Sequence, residues 1–561
     1  MRLLFALVLN LCRLLWLPVR VLGWHWFVPI GSWVRVDVRG PVVEVAPRSG
    51  LGGPAAFSLQ RLRALVERVG ADRRVTGLLV VVDEWQGGTA TAWALRRVLE
   101  RARTLGKRVC VFLPNGAGTR TALVATAAHR ILVAPRTQLA PLGYAVEIHY
   151  LKDALDWVGV EPEVIAHGRF KAAFETLVSA EMSQEQRQQL EQLLDNSYEI
   201  LVTSLATGRG VSRTLAEQWV HEGPWAADTA LRQGLIDGIV HEDDIDESLS
   251  GAETPAMKTR ILRLRTYERW RGGSWAPWRR RRRIGVLELR GPIVGHAPIP
   301  GLPVATGDSF VKLADRARRD PSVRGVVLAI TSPGGSVLVS ERMRHAVERL
   351  ARDKPVVAYL GDIAASGGYL AAVGAHAIYA TPATVTGSIG VVAARFCFGE
   401  LLARLGVSVH TVKRGGRADL HSSSRPLAAD EREHLREEIA EVYRYFVEAV
   451  AMGRKRAIAA IEQVAEGRVY SGHRASELGL VDGTDGFEAA LEDVRRRVGA
   501  RRVLAAELLE SGRVIDRILG GGRTRPRLYS ALQELWMMAL CSSHQPTAWL
   551  WCPVRVVERG G

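Results

Sequence analysis

The chain has 561 residues, 47% of them hydrophobic and 24% charged, a composition that excludes a disordered protein and, at this length, predicts about two to four domains. The net charge of +16 suits nucleic acid or an anionic membrane surface, but no cysteine–histidine spacing and no aromatic–basic motif accompanies it, so we expect no nucleic-acid partner. Five scattered cysteines without a CxxC argue against a disulfide framework and a zinc site.

The N-terminal segment, residues 1–35, is apolar but too irregular for a standard membrane span. It is rich in leucine, yet Arg13 and Pro18 interrupt a run that would need about 20 apolar residues to cross a bilayer. No convincing cleavage site of a signal peptide follows. We expect an imperfect membrane anchor or an interfacial helix, with a buried helix of a soluble domain as the alternative.

Most of the chain is an internal repeat. KRVCVFLPNGAGTRTALVATAAHRILVAP from Lys107 aligns without a gap with KPVVAYLGDIAASGGYLAAVGAHAIYATP from Lys354, an offset of 247 residues. Short β-branched runs such as GLLVVV and GVVLAI indicate buried strands, and helical patterns follow them. This alternation predicts an α/β fold with two tandem repeats packed together.

The repeat also sets the predicted domain bounds, an N-terminal repeat over 36–250 and a C-terminal repeat over 285–497. Between them, 251–284 is rich in glycine, tryptophan and arginine and is predicted to be a basic linker. Its run Arg279–Arg283 is expected to be solvated, with a contact to anionic lipid as the alternative. The C-terminal extension, 498–561, is apolar and aromatic, and could cover a hydrophobic patch, touch a membrane or mediate assembly.

The two copies differ at a serine. Ser366 lies in AASGG, between a predicted strand and a small-residue helix, where neighbouring amides would point at a developing oxyanion. Its counterpart in the first copy is Thr119. Gly367 would supply one amide, and Gly335 in SPGGS is the candidate for the second. Close helix packing through small residues is the alternative interpretation.

A nucleophilic serine needs a base, and the nearest histidine is a poor candidate. His376 has a counterpart, His129, in the half without the serine, so a structural role explains both. A lysine can act if burial keeps its amine neutral. Lys171 in GRFKAAFE aligns with Ala418, so serine and lysine are each present only where the other is missing. One composite site across two repeats would leave this pattern, although a surface lysine is the alternative among 75 lysines and arginines.

The chain resembles the bacterial signal peptide peptidase A family in its long, duplicated form. GRFKAAFE, SPGGS, AASGGYLAA, TPATVTGSIGV and the closing GLVDG carry the resemblance, which extends from about Arg39 to Arg497. It implies a fold similar to the Clp protease and crotonase group, and a membrane-bound serine peptidase with a Ser-Lys dyad.

The resemblance also implies roles for individual residues. Ser366 would be the nucleophile and Lys171 the general base. Ser388 in TGSIG would hold the lysine in place, and the amides of Gly335 and Gly367 would form the oxyanion hole. Acyl transfer by these groups needs no metal and no cofactor.

The expected surroundings follow from the same resemblance. It implies cleaved signal peptides and other apolar peptides as substrates, the bacterial inner (cytoplasmic) membrane with the catalytic domain facing the periplasm, and a homo-oligomer that is a tetramer in the long form. A crotonase-like acyl-CoA enzyme would share the fold but leave the Ser366 and Lys171 pattern unexplained. A catalytically silent membrane scaffold would use the repeat for assembly only.

Overall fold

The structure is a computed structural model that describes residues 2–46, 56–250, 260–271, 282–296, 304–499, 506–509 and 549–551. Each half of the chain forms a mainly parallel sheet with helices packed against it, so the predicted α/β fold of two repeats is confirmed.

Two N-terminal helices precede the first half, α1 (Arg2–Leu15) and α2 (Leu17–Phe27). The strands that follow up to the second half are β1 (Ser32–Val43), β2 (Phe57–Ser58), β3 (Val75–Gln86), β4 (Arg108–Leu113), β5 (Ala117–Gly118), β6 (Arg130–Val133), β7 (Gln138–Ala140), β8 (Glu161–His167), β9 (Trp225–Ala226), β10 (Gly238–Ile239) and β11 (Ile261–Arg263). The helices are α3 (Leu59–Gly70), α4 (Thr89–Thr104), α5 (Thr119–Ala125), α6 (Lys152–Val158), α7 (Glu175–Val178), α8 (Gln184–Arg209), α9 (Arg213–Glu222), α10 (Ala227–Arg232), a 3₁₀ turn (Glu242–Asp244), α11 (Ile245–Leu249) and α12 (Leu264–Arg271).

The second half repeats this order. Its strands are β12 (Arg283–Arg290), β13 (Ile293–Val294), β14 (Ala305–Thr306), β15 (Val323–Ser332), β16 (Gly334–Ser336), β17 (Val356–Ala365), β18 (Ile378–Tyr379), β19 (Val385–Gly387), β20 (Val391–Cys397), β21 (Val469–Ser471), β22 (Ala506–Leu508) and β23 (Trp549–Trp551). Its helices are α13 (Gly307–Arg319), α14 (Val337–Asp353), α15 (Gly367–Ala372), α16 (Gly399–Arg404), α17 (Ala429–Arg454), α18 (Ile458–Glu462), α19 (Gly472–Glu477) and α20 (Gly486–Val498).

The main sheets of the two halves share the order of four strands. The first runs β10-β6-β4-β3-β1-β11 and the second β21-β19-β17-β15-β12-β22, so β4-β3-β1-β11 corresponds to β17-β15-β12-β22. Beyond β17 the second sheet continues through β19, while β18, the counterpart of β6, pairs with β17 off this path. The central strands β3 and β15 are buried over Gly77–Val82 and Gly325–Ile330, the two apolar runs that predicted them. Burial on both faces is what continuous apolar strands of a parallel sheet need.

A third sheet joins the halves and positions the site. Its order is β14-β13-β16-β23-β20-β8, so a strand of the first half, β8, completes a sheet of the second. β8 pairs antiparallel with β20 from His167 opposite Val391 to Glu161 opposite Cys397. Glu163 in β8 is buried and its carboxylate contacts Arg395 at 2.9 Å and Arg432 at 2.6 Å. These ion pairs fix the first half's strand to the second half.

The segments around the repeats are only partly described. Residues 261–271, predicted to belong to the linker, form β11 and α12; β11 pairs with β1, and Trp270 of α12 stacks on Phe27 at 4.4 Å. The basic run lies outside the described residues up to position 281, and the extension is described only at 506–509 and in β23. No helix in the described ranges is long and apolar enough to cross a membrane.

Candidate active site

Ser366 lies at a strained turn between a strand and a helix. β17 ends at Ala365 and α15 begins at Gly367, so that Ser366 joins them with φ 55° and ψ −119°, a conformation that non-glycine residues rarely adopt. Its amide donates to the Gly387 carbonyl (2.8 Å), which holds the turn. A Cβ atom on Gly368 would come within 2.9 Å of a backbone oxygen, so the small residues of AASGG allow this close turn.

Lys171 reaches the same place from the first half. It follows β8, and its amide donates to the carbonyl of Gly168 (2.9 Å), which has φ 109°. The side chain of Lys171 is only 5% exposed, and Ser366 is fully buried. Because β8 pairs with β20, the sheet shared by the halves delivers the lysine to the serine.

Three polar side chains meet in this buried space. The Lys171 amine donates to Ser366 Oγ (2.8 Å), to Ser388 Oγ (2.9 Å) and to the Ser388 carbonyl (3.1 Å). Ser388 also has a positive φ, of 54°, and its amide donates to the Arg468 carbonyl (2.7 Å). The contact between serine and lysine spans 195 positions of sequence and links one repeat to the other.

The two glycines proposed for the oxyanion hole are neighbours. The amide nitrogen of Gly335 lies 3.4 Å from the position that a Cβ atom on Gly367 would take. Gly335 has φ 151°, and a Cβ on it would come within 2.8 Å of the Ile293 backbone. The absence of a side chain at Gly335 therefore lets β16 pass close to β13 at this point.

Two residues that sequence reasoning missed support the lysine. Gln189 of α8 is buried, its amide nitrogen donates to the Phe170 carbonyl (3.1 Å), and its oxygen accepts from the Val469 amide (3.1 Å). Gly467, with φ 76°, leaves room for Lys171, because a Cβ there would come within 2.6 Å of the lysine Cβ. A glutamine on the apolar face of α8 was the available signal for Gln189.

The two repeat histidines make matching structural contacts. Nδ1 of His129 accepts from the Val109 amide (3.0 Å), and Nδ1 of His376 accepts from the Val356 amide (3.2 Å). Burial, and then the nearby charges of Arg103 and Arg108, lower the pKa of His129.

The tail strand β23 lies beside the candidate oxyanion loop. It pairs antiparallel with β16, with Leu550 opposite Gly335, and Trp549 lies opposite Val392 in β20. A short extended segment of the chain therefore occupies the gap between these two strands. The three roles expected for the tail (cover of a hydrophobic patch, membrane contact and assembly) remain predictions.

The model of peptidase family S49 matches this chain twice, at residues 101–253 and 348–501. The two matches together span more than half of the chain. The chain belongs to peptidase family S49. It is therefore a serine protease.

Relatives support this membership over most of the chain. The chain is 27% identical over 501 residues to the chloroplastic serine protease SPPA of Arabidopsis thaliana, covering 88% of this chain and 73% of the relative. It is 26% identical over 491 residues to Protease 4 of Salmonella typhi, covering 84% and 77%. A putative protease of Methanocaldococcus jannaschii is 38% identical over 187 residues, 33% of this chain and 60% of the relative.

Proposed function

We propose that this S49 protease cleaves apolar peptides, including cleaved signal peptides, by acyl transfer through a dyad of Ser366 and Lys171. The observation that carries the proposal is the 2.8 Å contact between Lys171 Nζ and Ser366 Oγ in a buried space. Burial favours the neutral amine, which can accept the serine proton across the same distance. The two contacts to Ser388 would keep the amine pointing at Ser366.

The reaction has two halves that use the same lysine. Lys171 Nζ takes the Ser366 proton as Oγ bonds to the peptide carbonyl carbon, and the amides of Gly335 and Gly367 donate to the oxyanion. The C–N bond then breaks and the leaving nitrogen takes the proton from Lys171. Water attacks the acyl-enzyme, giving a proton to Lys171, which returns it to Ser366 Oγ as the acid product leaves.

The position of β23 supports an extended peptide as substrate. The strands β16 and β20 accept a third strand between them, and the pairing uses backbone groups. Main-chain recognition of this kind supplies affinity with little dependence on sequence, while pockets for alternate side chains supply specificity. Ile293, which pairs with Gly335, and Val391, at the start of β20, are both buried, and apolar side chains on the elements beside the site favour apolar substrates.

We propose that the N-terminal helices hold the protease at the bacterial inner membrane, with the catalytic part facing the periplasm. Leu11, Leu15 and Trp26 are 56%, 73% and 76% exposed, and interfacial helices use such apolar side chains to bind lipid. Flotation with vesicles of zwitterionic and anionic phospholipids tests this. The wild-type chain should float, and Leu15→Asp/Trp26→Asp should float less; equal flotation would contradict the proposal.

We infer a homo-oligomer built by repeating the pairing of β8 with β20. At the repeat offset of 247 residues, the counterparts of these strands are 408–414 and 144–150. Neither counterpart belongs to a strand of the sheets in the described ranges, and 408–414 is exposed throughout. Pairing of 408–414 of one copy with 144–150 of the next is a head-to-tail contact, which forms a ring when its rotation closes. The family resemblance implies a tetramer as the size of that ring.

Light scattering on a sizing column tests this assembly. Val409 and Val412 are 50% and 90% exposed, so Val409→Asp/Val412→Asp should shift the wild-type oligomer toward the monomer. Met452→Asp is the matched control, because Met452 is 72% exposed but lies outside both segments. An unchanged mass of the double variant would reject this interface.

A serine-directed fluorophosphonate tests the dyad on the full chain. The wild-type protein should be labelled at Ser366, and Ser366→Ala and Lys171→Ala should not be labelled at comparable probe concentrations. Equal labelling of all three proteins would reject the dyad. Labelling that survives in Lys171→Ala alone would reject the lysine as base and leave the serine as nucleophile.

A further inference from the structure

An aspartate of the second half binds the first half close to the active site. Asp362 lies in β17, four positions before Ser366. Its carboxylate accepts from the Gly88 amide (2.9 Å), from the Thr91 amide (2.8 Å) and from the Thr91 hydroxyl (2.7 Å). It thus caps α4 of the other repeat, where backbone amides at a helix start favour a negative charge.

The loop that receives this carboxylate is the first-half copy of the candidate oxyanion loop. At the offset of 247 residues, Gly88 is the counterpart of Gly335. The amide that would hold an oxyanion in the second repeat therefore has a counterpart in the first that donates to the side chain of Asp362. A Cβ on Gly88 would come within 2.6 Å of the Asp362 carboxyl carbon, so the glycine is what lets the carboxylate in.

Asp362 also lies at a position where the pairing of β17 with its neighbouring strands is interrupted. The pairing of β17 with β15 breaks between Leu360, opposite Ile330, and Ala364, opposite Ser332. On the other side, pairing resumes with β19 only at Ile363. The three hydrogen bonds of Asp362 hold the strand at this break, immediately before the strained turn of Ser366.

We propose that Asp362 is a positioning residue that sets Ser366 against Lys171 by binding the first-half loop at Gly88 and Thr91. Ser366 and Lys171 come from different repeats, so their separation depends on how the repeats are joined. The pairing of β8 with β20 fixes the segment that holds Lys171, and the contacts of Asp362 fix the segment of β17 that leads to Ser366. This inference rests on the proposed dyad.

The test measures how a small fluorophosphonate inactivates the full-length protein, separating the maximal rate constant from the half-saturating concentration. Asp362→Ala should lower the maximal rate constant about 10-fold, because small displacements of reacting groups are costly. Thr91→Val should lower it about threefold, and Thr91→Ser should restore it to within about twofold of wild type. The half-saturating concentration should stay unchanged in all of them.

Two comparisons separate positioning from loss of fold. Rates are expressed per titrated active site, and Asn115→Ala is the matched control, because Asn115 is the first-half counterpart of Asp362 and contacts Asp83 instead. The double variant Asp362→Ala/Thr91→Val should have the same maximal rate constant as Asp362→Ala alone, because the two substitutions remove the same interaction. The proposal is overturned if the losses of the two single variants add in the double variant. It is also overturned if Thr91→Val and Asp362→Ala keep the wild-type rate constant. A wild-type protein that is not labelled at Ser366 would instead reject the dyad itself.

Discussion

The two repeats share a fold and differ in how they use the same loop. In the second repeat, Gly335 has φ 151° and lies beside Gly367 at the start of the short helix that follows Ser366. In the first, Gly88 has φ −84°, α4 begins directly after it, and its amide is bonded to Asp362. The first-repeat loop therefore joins the halves through Asp362, while its copy at Gly335 is the proposed oxyanion loop and pairs with β23.

The position of the proposed nucleophile, Ser366, also differs between the repeats. Thr119, the counterpart of Ser366, is the first residue of α5, and the preceding Gly118 has an ordinary extended backbone. The Thr119 hydroxyl donates to the Gly143 carbonyl (3.1 Å). Ser366 has a positive φ, which costs about 1–3 kcal/mol and persists only where the surroundings enforce it. The strain is present only in the repeat that has the lysine beside it.

Truncation to alanine at one of these two positions, Ser366, gives the largest expected effect. Ser366→Ala should lower the rate of peptide hydrolysis about 10⁴-fold or more, because it removes the nucleophile. Thr119→Ala should keep the rate within about twofold, since its contacts lie away from the dyad. Peptidase assays of both purified variants decide this. A large loss in Thr119→Ala, with folded protein, would mean that the repeats are not divided in this way.

The pH profile tests the lysine that only the first repeat supplies. A protonated amine cannot accept the serine proton. Once the pH falls below the value at which half of the Lys171 amine is protonated, each further unit should lower the rate about tenfold. Pre-steady-state acylation, measured where chemistry limits the rate, is the suitable readout. A rate independent of pH between about 5 and 9 would contradict the neutral lysine as base.

Ser366 and Lys171 were predicted from the sequence because each is missing from the other repeat. Comparing the copies pointed to Ser366 and Lys171, and the structure places their reacting atoms 2.8 Å apart. Asp362 was not predicted, because an acid within an apolar strand gives no sign of its partner in another repeat. The strand pairing of residues 549–551 was not predicted either, since a pairing partner is set by packing between distant segments and not by local pattern.

The tail strand β23 pairs with two strands of the second repeat, β16 and β20, and its removal should have a smaller effect. If β23 occupies the place of a substrate strand, truncation after Ala548 should lower the KM for an apolar peptide about threefold, because apparent affinity scales with the fraction of open sites. Truncation after Trp551 is the matched control, since it keeps the strand. Equal KM values for the two truncations would show that β23 does not compete with substrate.

The two histidines should give the smallest effects, and matching ones. His129→Ala and His376→Ala each remove the acceptor of one backbone amide, and each should lower the free energy of unfolding by about 1 kcal/mol while the hydrolysis rate stays unchanged. The pKa of His129 is lowered on folding, so its contribution is present above the pKa of the unfolded chain and is lost as the pH falls. Urea unfolding between about pH 7 and 5 should therefore be less pH-dependent in His129→Ala than in the wild type. A rate loss confined to His376→Ala would revive that histidine as the base and break the equivalence of the pair.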